Sequence, residues 1–113
     1  MKRKAMKAAK LMVMYPTPTD VAVFERLYEH EHVPLAVAKL AGKIRFDANL
    51  ITAAPGQEQA PYYRIAGVYF PSMKDLEDCL GSPGGQETAA HAVEISSGGD
   101  PLFLIAEVET FVF

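Results

Sequence analysis

Residues 10–34 read K-L-M-V-M-Y-P-T-P-T-D-V-A-V-F-E-R-L-Y-E-H-E-H-V-P, and this stretch decides the fold. Lys10 to Tyr15 is a short apolar run closed by Pro16 and Pro18, which predicts a buried central strand. Thr19 or Asp20 then supplies a side-chain oxygen for the free N–H groups of a helix's first turn. Phe24, Tyr28 and His32 recur four apart, with Val21 and Leu27 beside them, while Glu25, Arg26, Glu29 and His30 fall toward the other side. That spacing is an amphipathic helix. Pro34 disfavours a helical Val33, so the helix should end or kink near His32, with Leu35 to Leu40 adding a turn or two before Gly42.

Working outward, Lys43 to Ala54 sets Ile44, Phe46, Ala48 and Leu50 against Arg45, Asp47 and Asn49, the period-two pattern of a strand. Pro55, Gly56 and Pro61 mark a loop, and Tyr62 to Phe70 is rich in aromatic and β-branched residues, the second half of a hairpin. Ser72 and Asp75 resemble a capping box ahead of Met73, Leu76 and Leu80, a helix that Gly81 stops. Ser82-Pro83 begins another, with Ala89, Ala92 and Val93 as its apolar stripe and Gly98-Gly99 beyond its end. Leu102 to Phe113 is a final apolar strand. The order β-α-β-β-α-β, its second helical region split, predicts an α+β ferredoxin-like sandwich: one four-stranded antiparallel sheet with helices on one face. If Ile44, Phe46 and Leu50 pack under the helices, the other face carries Tyr15, Phe103, Ile105, Phe111 and Phe113, an apolar surface expected to meet a partner or a ligand.

The chain has 113 residues, half of them hydrophobic, and 11 basic against 14 acidic residues. Five of the bases are Lys2, Arg3, Lys4, Lys7 and Lys10, so residues 1–9 read as a basic, frayed N-terminal extension and residues 10–113 as a single domain. From Leu11 onward six bases face all fourteen acids, a balance that disfavours a nucleic-acid partner. No apolar run approaches the ~20 residues of a membrane span, and Lys7 and Lys10 interrupt any signal-peptide core. One cysteine, Cys79, leaves no internal disulfide and no thiolate metal site, which suits the cytoplasm. No metal site is expected, because His30 and His32 diverge on a helix and His91 points away with its own apolar stripe turned inward.

The segment Met14-Tyr15-Pro16, followed by Phe24-Glu25-Arg26-Leu27-Tyr28-Glu29-His30-Glu31-His32-Val33-Pro34-Leu35, resembles the opening of the EthD family of the dimeric α+β barrel superfamily. Tyr28, His32, Pro34 and Leu35 carry the resemblance, together with the Tyr-Pro ahead of the helix, and it extends from about Leu11 to Phe113. It implies a homodimer whose two sheets form a barrel, with a pocket for a hydrophobic or aromatic small molecule. The family takes its name from a gene cluster for degrading fuel ethers, whose members accompany a cytochrome-type monooxygenase system. The wider superfamily includes cofactor-independent monooxygenases, lactone isomerases, polyketide cyclases and haem-degrading proteins.

His32 and Tyr28 are the candidate catalytic residues: an imidazole of unperturbed pKa ~6.5 can move a proton, and a phenol beside it can orient a substrate oxygen. The same imidazole can instead satisfy the last carbonyls of its helix. Tyr15, Phe24, Arg45, Asp47, Arg64 and Tyr69 are candidate substrate-binding residues. Among them Arg45, Asp47 and Arg64 would give a barrel interior a polar wall, and Arg45 with Asp47 can equally be an ordinary surface ion pair. No redox-cofactor motif is present, so oxygenation would need a partner system or an activated substrate, whereas isomerisation or cyclisation needs only proton transfer. A non-catalytic binding protein and a haem-binding relative with His32 as axial ligand are the alternatives.

Overall fold

A computed structural model describes residues 2–3 and 7–113. Its elements are β1 (Lys2–Arg3), β2 (Ala8–Tyr15), α1 (Val21–Leu27), a π-helical turn (Tyr28–His32), α2 (Val33–Lys39), β3 (Arg45–Leu50), β4 (Arg64–Phe70), α3 (Met73–Gly81), α4 (Pro83–Ile95), β5 (Leu102–Val108) and β6 (Phe111–Val112). The main sheet runs β3-β4-β2-β5 with every pair antiparallel, and its helices lie on one face, so the ferredoxin-like sandwich is the observed fold. β1 and β6 form a separate two-stranded ribbon. Met1 and residues 4–6, part of the expected N-terminal extension, lie outside the described residues, and β2 begins at Ala8 rather than at Lys10. Among the described residues no helix is long and apolar enough to cross a membrane.

The helix boundaries follow from their caps. Asp20 accepts the Val23 N–H at 3.1 Å, Ser72 accepts the Asp75 N–H at 3.2 Å, and Ser82 accepts the Gly85 N–H at 3.0 Å. Each satisfies a first-turn donor that would otherwise have no partner. Of the two outcomes expected near His32, an end or a kink, the helix takes the second, as a π turn. Val33 is helical (φ −59°, ψ −47°), and its N–H donates to the Tyr28 carbonyl, five residues back. Pro34 lacks an N–H, and its ring would press on the carbonyl of His30 in a regular α turn. One widened turn relieves that pressure, and the helix runs on to Lys39.

Strand register fixes which side chains meet the helices. Phe46, Val68, Leu11 and Ile105 stand in one cross-strand row, and Leu50, Arg64 and Tyr15 in another. Both rows are on the helix side, where Ala9, Leu11, Val13, Tyr15, Ala66, Val68 and Phe70 join Phe24, Tyr28 and Leu76 in the core. Tyr15 is therefore core and not part of the open face, and Phe103 and Ile105 share its parity. The open face carries Met12, Met14, Leu102 and Leu104. In K-L-M-V-M-Y both parities are apolar, so alternation gives no hint of the facing. Ile44, just before β3, and Leu50, at its end, stay well exposed on this edge strand, of which Phe46 packs against the core. The apolar stripe of α4 is Gly85, Thr88, Ala92 and Ile95, with Val93 turned to solvent.

A Cβ on Gly85 would collide with the carbonyl oxygen of Cys79 at the α3–α4 corner, whereas one on Gly81 would meet open space. Gly85→Ala is expected to lower stability by about 1–3 kcal/mol, and Gly81→Ala to leave it unchanged or raise it by up to ~1 kcal/mol. Urea unfolding followed by circular dichroism checks both.

Candidate functional site

The widened turn brings Tyr28 and His32 onto the face of the helix that meets the sheet, in line with Phe24 one turn earlier. All three are buried. Their rings form a stack: Phe24 to Tyr28 at 5.6 Å and 16°, Tyr28 to His32 at 5.7 Å and 25°, and His32 to His91 of α4 at 5.2 Å and 10°. Tyr15 stands edge-on to three of these rings, at centroid distances of 5.3 Å (Phe24), 5.6 Å (Tyr28) and 6.3 Å (His32). Edge-to-face and offset-stacked contacts of this kind place positive ring edges against negative faces, which holds the group in one arrangement.

Polar atoms are few here. The Tyr15 hydroxyl lies 3.3 Å from His32 Nε2, and His32 Nδ1 lies 2.9 Å from His91 Nδ1. Burial, and then the nearby His91, lower the His32 pKa to about 4, so the ring is neutral at pH 7. Burial raises the Tyr15 phenol far above its usual range, and it pushes Tyr28 up to about 12 against the opposing charge of Arg64. Among the described residues the buried Tyr28 hydroxyl has no hydrogen-bond partner. A buried hydroxyl in that state costs about 1–3 kcal/mol, a cost that structural tyrosines usually avoid.

Beside His32 is a cavity of about 30 Å³ between the sheet and the helices. Leu11, Val13, Phe46 and Val68 wall it from the sheet, and Ala36 and Ala92 from the helices. Its only polar side chains are His32 and Thr88, and the Thr88 hydroxyl is spent on the Gly84 carbonyl at 2.7 Å. Phe103 also lines it and is 38% exposed, so this ring stands between the cavity and solvent.

The candidate residues divide between the two faces of the sheet. Tyr28, His32, Phe24 and Tyr15 come together as described. Arg64 is not part of a polar wall with Arg45 and Asp47; its register opposite Tyr15 puts it on the helix side. There its guanidinium grips Glu25 of α1 through two bonds, at 3.0 and 2.8 Å, and lies 5.0 Å over the Tyr28 ring. It acts as a clamp between β4 and α1. Arg45, Asp47 and Tyr69 lie on the open face, away from His32. Arg45 holds Asp47 at 3.0 Å as an exposed ion pair, and Arg45 and Lys10 flank the Tyr69 ring at 5.0 and 4.9 Å. Cys79 is buried, and that burial raises its thiol pKa. His91 belongs to the site although it is expected to face solvent from its sequence. Its spacing of three from Thr88 and four from Ile95 is the signal that would have found it, once Val93 is taken off the buried stripe.

A pH dependence follows from the neutral His32. The folded protein resists protonating this ring and the unfolded chain does not, so its contribution to stability is full above pH 6.5 and is lost as pH falls toward 4. The loss is roughly 3 kcal/mol. Wild type is expected to lose this much more than His32→Gln between pH 7 and 4, measured as the difference in urea midpoints.

Three comparisons bear on the fold and the family. The EthD domain model matches residues 16–96. A protein of Rhodococcus erythropolis, an uncharacterized 11.0 kDa protein in the thcB–thcC intergenic region, is 32% identical over 90 residues, covering 80% of this chain and 85% of that one. Among solved structures, an EthD family protein from Bacillus halodurans superposes with a TM-score of 0.80 at 23% identity, over 89% of this chain and 98% of its own. A dimeric ferredoxin-like protein of unknown function from Jannaschia superposes at 0.66 and 18% identity, over 89% and 99%. These two likenesses show the fold. With the family model covering most of the chain and the Rhodococcus relative covering four-fifths of it, this chain belongs to the EthD family.

Proposed function

We propose that the protein binds a small hydrophobic or aromatic molecule in the cleft between sheet and helices and moves a proton on it with His32. The observation that carries this reading is the Tyr28 hydroxyl, buried without a partner and stacked against a neutral imidazole that lines an apolar cavity. A ligand oxygen would supply the missing partner, and the apolar walls would hold the rest of the molecule. The Tyr15 contact to Nε2 is long for a bond donated by a hydroxyl, so that nitrogen is the one a ligand can capture. Neutral His32 is in the right form to accept a proton, and Tyr28, whose pKa of about 12 keeps it protonated, would donate a hydrogen bond to a developing oxyanion. The closed cavity of about 30 Å³ has room for about one water, so in this reading Phe103 swings outward and enlarges it to admit the ligand.

The working form in this reading is a homodimer. Among the described residues no strand pairs with the outer edge of β5, which exposes Leu102, Phe103, Leu104 and Ile105 in succession, with apolar side chains on both faces. Four such residues on an unpaired strand favour a second copy over water. The dimeric Jannaschia neighbour supports the same assembly.

The proton-transfer reading is tested with 2-indanone, a flat ketone with acidic C–H groups, by following deuterium uptake from D2O by mass spectrometry. Wild type is expected to accelerate exchange and His32→Gln to lose at least a hundredfold of that acceleration. Ala89→Phe, which fills the cavity, should abolish binding as well. Binding without exchange in wild type would make the protein a carrier and overturn the proton-transfer step. For the assembly, Leu104→Lys on the open face is expected to convert a dimer to a monomer in analytical ultracentrifugation.

A further inference from the structure

His32 has a second partner that leads out of the core. Its Nδ1 meets His91 Nδ1 at 2.9 Å, and the other nitrogen of His91, Nε2, lies 3.7 Å from a carboxylate oxygen of Glu31. The side chain of His91 is 18% exposed and that of Glu31 60%, so the row Tyr15, His32, His91, Glu31 runs from the buried sheet to solvent. The titratable groups facing His32 are Tyr15 from β2, Tyr28 from its own turn and His91 from α4.

The negative charge of Glu31 biases the direction of this row, its oxygen standing at 3.7 Å, beyond hydrogen-bond length. A carboxylate only accepts, so the His91 nitrogen turned toward Glu31 is the one that carries the proton. In the neutral form of His91, which has one donor and one acceptor, Nδ1 is then the acceptor. The 2.9 Å contact then requires the proton of His32 to sit on Nδ1. This leaves a lone pair on His32 Nε2, toward which the Tyr15 hydroxyl donates. The opposite polarity would aim a His91 lone pair at a negative charge.

We infer that His91 and Glu31 fix the Nδ1–H tautomer of His32 and carry protons between its buried ring and solvent. His91 is a positioning residue in the first role and a relay in the second. When His32 Nε2 takes a proton from a ligand, the Nδ1 proton passes to His91 Nδ1 and the His91 Nε2 proton to Glu31 or to water. One proton enters and one leaves. Both rings stay neutral and exchange tautomers, and returning a proton from Nε2 to the ligand runs the row backward. No imidazolium need form inside the core, where burial strongly disfavours it. The relay deepens the proton-transfer reading of His32 and rests on it for the ligand; the tautomer is a property of the free protein.

Long-range 15N–1H correlation of the imidazoles in ligand-free protein at pH 7.5 tests the tautomer. Wild type is expected to show His32 protonated on Nδ1 and His91 on Nε2. His91→Phe should move the His32 proton toward Nε2, and Glu31→Ala, at an exposed position with little risk to folding, should mix the tautomers of both rings. A wild-type His32 protonated on Nε2, or one unchanged by His91→Phe, overturns the inference whether or not any ligand is turned over. His91→Asn separates the two roles: its amide oxygen replaces the Nδ1 acceptor but cannot pass a proton through. It should keep the Nδ1–H tautomer while lowering kcat for 2-indanone exchange about tenfold or more with KM held. Exchange at the wild-type rate in that variant overturns the relay.

Discussion

Pro34 has no N–H to offer, and its ring cannot share a regular turn with the carbonyl of His30. The chain answers with one π turn from Tyr28 to His32, and the placing of the site follows from that choice. Had the helix stopped, α2 would be free to leave the sheet, and Ala36 and Leu40 would not reach the core they occupy. Because it continues, Phe24, Tyr28 and His32 stay on one face and their rings stack. His32 thereby arrives at the point where α4 crosses, within reach of His91.

The sheet meets different demands on its two faces. On the helix side Leu11, Val13 and Tyr15 of β2 are packed, and Arg64 spans from β4 to Glu25 and across the Tyr28 ring, locking α1 over the sheet. A guanidinium that is mostly buried and bonded at both ends contributes more than the exposed Arg45–Asp47 pair, which is screened by water. On the open face the cations Lys10 and Arg45 bracket Tyr69, while Met12, Met14, Leu102 and Leu104 keep a flexible, greasy surface.

Much of this was legible in the amino-acid order. Strand and helix types, the split second helical region, the caps at Asp20, Ser72 and Ser82 and the shared face of Phe24, Tyr28 and His32 all follow from spacing and side-chain chemistry. What was not legible has specific causes. A proline inside a helix reads as an end or a kink, and local sterics do not say which; the packing of Ala36 and Leu40 decides for the continued, widened turn. The facing of β2 was hidden by apolar residues at both parities, which sent Tyr15 and Phe103 to the wrong side. Arg64 was misplaced with them, since its face depends on pairing with Tyr15 across strands. The partnership of His32 with His91 joins two helices and is invisible to any periodicity within one.

The position of β2 in the middle of the sheet also bears on how the chain acquires its structure. Its neighbours are β4 and β5, so Val13 must find both Ala66 and Phe103. Both neighbours of β2 come later in the chain, so β2 has both edges covered only once β5 has formed. Contacts this distant along the chain slow folding, and until β5 arrives the run from Leu11 to Tyr15 presents an open hydrophobic edge. Aggregation is therefore a hazard of the folding chain until β5 docks against β2.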